Sequence, residues 1–190
     1  MTDVRTTAVP AAPARRRALD LGLVAAGALA VALCSQAAVP LPGTPVPMTL
    51  QALAALLVGG LLGARRGAAS LVFYLVLGAA GLPVFTPYGA PGLARLFGPT
   101  GGYLLAYPLA AALVGWAVAR RSGWPGLVAG PLLGMAAVYA GGVAQLLVLT
   151  GSARVAIAAG TVPFALGDLV KCGLAALILR RSLPLTRALR

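Results

Sequence analysis

The sequence predicts an all-α membrane protein of six transmembrane helices with both termini in the cytoplasm. Three observations carry that expectation. Of 190 residues, 60% are hydrophobic and only 9% charged, and the mean hydropathy is +0.95; a soluble domain is roughly half apolar and a quarter charged. Apolar runs, most near the ~20 residues needed to cross a bilayer, follow one another along almost the whole chain. The basic residues gather between alternate runs. This composition excludes a disordered chain, a disulfide scaffold and a nucleic-acid module, and leaves no segment long enough to fold as a soluble appendage.

The elements follow in order. Residues 1–18 form a basic arm rich in Pro, Ala and Thr, without apolar periodicity. The run after it has the basic flank of a signal peptide, but further apolar runs follow, so it reads as a retained first span. Span 1 covers 19–39 and stops in the Pro-rich stretch 40–47. Span 2 covers 48–63 and span 3 covers 67–81, separated by Arg65 and Arg66. A long Pro/Gly-rich loop, 82–99, precedes span 4 at 100–119, which ends at Arg120 and Arg121. Span 5 covers 124–150, with Pro131 inside it. A polar link and a short apolar stretch lead to span 6 at 163–179. The membrane domain is thus 19–181, and 182–190 is a basic tail.

Positive charge sets the direction, because arginine and lysine accumulate in cytoplasmic loops. With the N-terminus inside, Arg5, Arg15, Arg16, Arg17, Arg65, Arg66, Arg120, Arg121, Arg180, Arg181, Arg187 and Arg190 all fall inside, and only Arg95 and Arg154 outside. The net charge of +12 is therefore a topology signal and a means of contact with anionic inner-leaflet lipids. A nucleic-acid stripe would gather those arginines on one surface with aromatics between them.

Lys171 and Asp168 are different, because both lie inside span 6. A lone charge there costs about 2.5–3.5 kcal/mol on the conservative scales. Three apart on a helix, they share a face and can pair. The pair could merely fix helix packing. A ligand site is favoured, because a membrane ion pair without a polar target adds little over apolar packing. Both lie in the first two turns of a span that runs outside to inside, so the site faces outward. A carboxylate and an ammonium walled by apolar side chains suit a small ligand with donors and acceptors on an apolar frame.

Other candidates lie at the same level. Thr49 and Gln51 open span 2; they could equally cap the helix or bond between helices. Thr100, Gly101, Gly102 and Tyr103 open span 4, where glycines allow close backbone approach to a ligand; Tyr103 could instead be an interfacial aromatic. Gly22, Ala26 and Ala30 make a small-residue stripe on span 1, suited to close helix contact, within the chain or with a partner. Cys34 and Cys172 fall in apolar runs and read as packing residues. Histidine is absent. No metal site, resident cofactor or catalytic residue is expected.

Five stretches, Val46-Pro-Met-Thr-Leu-Gln51, Leu62-Gly-Ala-Arg-Arg-Gly67, Leu77-Gly-Ala-Ala-Gly-Leu-Pro-Val-Phe85, Gly98-Pro-Thr-Gly-Gly-Tyr103 and Gly167-Asp-Leu-Val-Lys171, together resemble the BioY family. These are the substrate-binding S-components of energy-coupling factor (ECF) biotin transporters of prokaryotes. The resemblance runs from span 1 to span 6 and leaves the N-terminal arm outside. It implies the six-helix S-component fold in the prokaryotic plasma membrane and high-affinity capture of biotin from outside. It implies that Asp168 and Lys171 recognise biotin and that 100–103 line the pocket. It also implies that the Gly22, Ala26, Ala30 surface meets a membrane coupling protein, which two ABC-type ATPases energise. Arg95, or backbone N–H groups near Gly101, could take the biotin carboxylate. Another small vitamin is the alternative ligand, and self-association is an alternative to the full complex.

Two other classes fit poorly. An intramembrane aspartyl protease needs two carboxylates at membrane depth, where the spans hold only Asp168, Asp20 standing at the very start of span 1; a Ser–Lys dyad lacks a serine facing Lys171. A channel needs polar residues along its length, and the inner halves of these spans are almost wholly apolar. No G-x-x-x-x-G-K-[ST] loop occurs, so ATP hydrolysis by that route must come from partners.

Overall fold

Each apolar run read as a span coincides with a helix. The computed structural model describes residues 13–121 and 123–186. The order is α1 (Pro13–Gln36), β1 (Ala38–Val39), β2 (Met48–Thr49), α2 (Gln51–Leu62), α3 (Ala64–Ala79), α4 (Ala94–Phe97), α5 (Gly101–Arg120), α6 (Trp124–Thr150), α7 (Ala153–Gly160) and α8 (Ala165–Thr186). Helix α1 begins at Pro13, so Arg15, Arg16 and Arg17 lie within its first turns instead of in an irregular arm. Arg5, Arg187 and Arg190 lie outside the described residues.

Among the described residues, three helices, α1, α5 and α6, are long and apolar enough to cross a membrane on their own, and a fourth if α7 and α8, bent by 52°, count as one span. The chain is thus a multi-pass membrane protein. The other runs fall short for local reasons. The chain breaks at Gly63, whose φ of 83° is a left-handed conformation that only glycine adopts without strain. The break leaves α2 with 12 residues, about 18 Å of rise. Helix α3 opens on Arg65 and Arg66. Gly151, at φ 67°, ends α6 by donating its N–H to Leu147 O, a left-handed helix cap. Ser152 then starts α7 by accepting from the Val155 N–H, the usual N-cap bond.

Helix α5 lies at the centre, against α2, α3 and α6. Contact is close because facing residues are small: a Cβ on Gly102 would strike the backbone of Gly141, and one on Gly115 the start of α3 at Ala64. Small residues are how membrane helices gain dispersion contacts where no hydrophobic effect drives them together. Large apolar side chains point outward instead, among them Leu21, Leu33, Leu109, Val148 and Leu169.

The bundle has two unlike ends. One carries Arg65, Arg66, Arg120, Arg121, Arg180 and Arg181, with Arg66 paired to Asp20 at 2.6 Å and the Arg180 guanidinium 4.6 Å from the Trp124 ring centre. The other carries an antiparallel β1–β2 pair, Ala38 opposite Thr49, and the α3–α5 loop with α4.

Candidate ligand-binding site

The end with the hairpin holds a cavity lined from β2 and the starts of α2, α5 and α8, with α6 and the α3–α5 loop completing the wall. Asp168 sits in the first turn of α8, where the positive end of the helix dipole favours a carboxylate. One of its oxygens accepts from Lys171 Nζ at 2.7 Å, as the three-residue spacing predicts. The other accepts from the Tyr139 hydroxyl of α6, also at 2.7 Å. Both charged residues are buried, 7% and 8% exposed. Lys171 has further N–H donors to offer, and each carboxylate oxygen has a second lone pair.

The other polar residues are held by side-chain and backbone partners within the protein. Gln51 Nε2 donates to the Tyr74 hydroxyl, which donates to Val84 O at 3.1 Å. Thr49 Oγ1 accepts from the Gln51 N–H at 3.2 Å. Tyr103 donates to Gly160 O at 2.7 Å, tying α5 to α7. Arg95 of α4 is 5% exposed; its two terminal nitrogens donate to Thr86 O and Tyr88 O. Desolvation lowers its pKa from the usual guanidinium value, which is high enough that the charge persists. Arg95 Nε is buried with no partner among the described residues, and an unsatisfied charged donor is costly unless something supplies an acceptor.

Of the residues singled out in the sequence, Thr49, Gln51, Arg95, Thr100, Tyr103, Asp168 and Lys171 all line this one cavity. Gly101 and Gly102 do not. Gly101 lies under the Leu96 carbonyl and Gly102 on Gly141, and the Gly101 N–H is taken by Gly98 O at 3.0 Å. Their smallness serves close packing against α4 and α6. Tyr139, Tyr107, Phe85 and Phe164 also line the cavity and were not expected there. Tyr139 had one readable signal, a hydroxyl far from either end of its span, where it needs an internal partner. Gly22, Ala26 and Ala30 are all exposed, so the α1 stripe faces out of the bundle. Cys34 and Cys172 are free thiols.

The BioY family model matches residues 6–188. The chain belongs to the BioY family. It is 36% identical to the biotin transporter BioY of Thermotoga maritima, over 84% of this chain and 94% of that one. It is 38% identical to the biotin transporter BioY of Rhodobacter capsulatus, over 84% and 89%. Among solved structures, the S-component for biotin from an ECF-type ABC transporter, determined at 2.1 Å, superposes with a TM-score of 0.79 at 27% identity, covering 90% of this chain and 94% of that one. This BioY-family chain therefore shares the S-component fold.

Proposed function

We propose that the chain is the biotin-binding S-component of an ECF-type uptake transporter in the prokaryotic plasma membrane, a binding protein without catalytic residues. The observation that carries the reading is the buried Asp168–Lys171 pair, joined by the half-buried Tyr139, in an aromatic-walled cavity. The similarity to biotin transporters and to a biotin S-component supports it. In this reading α1, α2, α3, α5, α6 and α8 are the six membrane segments, both termini are cytoplasmic, and the cavity opens outward. Asp168 accepts from the ureido N–H groups of biotin and Lys171 donates to the ureido carbonyl. Thr49, Gln51, Thr100 and Tyr103 complete the polar wall. The bicyclic frame lies among Phe85, Tyr107 and Phe164. Arg95 takes the carboxylate, a role supported by its unpartnered Nε and by the engaged Gly101 N–H. The Gly22, Ala26, Ala30 face meets the coupling protein, and two ABC-type ATPases supply energy.

Competition on the purified chain tests the ligand. Labelled biotin should be displaced by unlabelled biotin and not by thiamine or riboflavin. Biotin methyl ester should compete poorly, because it removes the charge offered to Arg95. Equal displacement by an unrelated vitamin would overturn the biotin assignment.

A further inference from the structure

At the end of the bundle away from the cavity, α1, the α2–α3 turn and α5 enclose a second recess of about 580 Å3. One wall is apolar, built from Leu62, Trp116 and Ala119, and the rim is charged by Asp20, Arg65 and Arg66. The single carboxylate there among the described residues is committed, since Asp20 pairs with Arg66 at 2.6 Å. Arg65 is exposed and has no ion-pair or hydrogen-bond partner among the described residues. A third cation stands beside the opening: the Arg120 guanidinium lies 5.7 Å from the Trp116 ring centre, and Trp116 is itself 46% exposed. Three cations against one anion leave the recess with an excess of positive charge. Helix α3 adds to it, since its first turn carries no acid and no side-chain cap.

The outer faces of α1 and α5 leading away from this recess are lipid-like, with Leu21, Leu29, Leu105 and Leu109 exposed. A ligand that satisfies both surroundings needs a phosphate beside an apolar tail. We propose that the recess binds the headgroup phosphate of an anionic phospholipid. Arg65 and Arg120 contact the phosphate, the Trp116 indole lies at the glycerol level where interfacial tryptophans sit, and an acyl chain follows the α1–α5 surface. Basic recesses between membrane helices on the cytoplasmic side are suited to such headgroups. A soluble anion would use the arginines and leave the apolar wall wet.

The full chain, purified in nonionic detergent and stripped of lipid, is titrated with phosphatidylglycerol and separately with phosphatidylcholine, and retained lipid is counted by native mass spectrometry. Phosphatidylglycerol should be retained at one per chain, at concentrations well below those phosphatidylcholine needs. Arg65→Gln and Arg120→Gln should each weaken retention roughly fivefold, as expected for about one surface arginine's worth of attraction. Arg154→Gln, in α7 near the other end, should not, and biotin binding should be unchanged in all three. Equal retention of both lipids would overturn the proposal, and so would an Arg154→Gln loss matching that of Arg65→Gln. Displacement of phosphatidylglycerol by millimolar inorganic phosphate would overturn the lipid assignment in favour of a soluble anion.

Discussion

Asp168 and Lys171 are where the chemistry of the site is concentrated. Asp168→Asn keeps the shape of the side chain, removes its charge, and replaces one acceptor oxygen by a donor aimed at Lys171 or Tyr139. A hydrogen bond to a charged group contributes about 1.5–3 kcal/mol, so biotin affinity should fall roughly 10- to 150-fold at about 1.4 kcal/mol per decade. Lys171→Met should weaken binding comparably. The double variant should lose less than the sum, since each single change strands a buried charge. Affinity measured on the monodisperse fraction separates this from a structural pair, whose loss would lower thermal stability while the folded fraction bound normally. The pair itself was readable from spacing alone. Its third member, Tyr139, was not, because it comes from α6, 29 residues away, and only tertiary packing brings it to Asp168.

Among the elements, the long helices were readable because apolar runs, arginine clusters and Pro/Gly interruptions mark them directly. The two-residue strands, α4 and α7 were not, since each is shorter than any window in which periodicity can be told from chance. Gly101 and Gly102 show the ambiguity of glycine at a helix start: it suits close approach of a ligand and of a neighbouring helix equally, and here the neighbours are α4 and α6. The α1 stripe points the other way, outward. Added bulk at Gly22 would meet nothing within 4 Å, and Ala26 and Ala30 are likewise exposed. Ala26→Leu or Ala30→Leu should therefore leave biotin affinity and folding intact while reducing co-purification with the coupling protein and ATPases. Loss of ligand binding in step with assembly would show that the stripe serves the fold of the chain itself.

For the whole molecule, the separation of arginines from cavity defines a direction. If the arginine end is cytoplasmic, a cysteine introduced within 87–92 should react with an impermeant maleimide in intact cells, in a background lacking Cys34 and Cys172. A cysteine at Arg120 should react only after permeabilisation. The reverse pattern would invert the molecule and turn its cavity inward. At about 60 Å3 the cavity has room for about four waters. The α3–α5 loop is the wall held mainly by side chains reaching its carbonyls: Ser35 to Val84, Gln36 to Phe85, and Gln145 to Leu96 and Gly98. None of these contacts was readable in the sequence, because they depend on donors that lie far along the chain from the carbonyls they meet.

Isothermal titration of biotin into the purified, ligand-stripped chain tests the central claim most directly. Saturable binding at one biotin per chain is expected, markedly weaker in Asp168→Asn and Lys171→Met. Absence of saturable binding by the folded wild-type chain, or wild-type affinity in both variants, would contradict it.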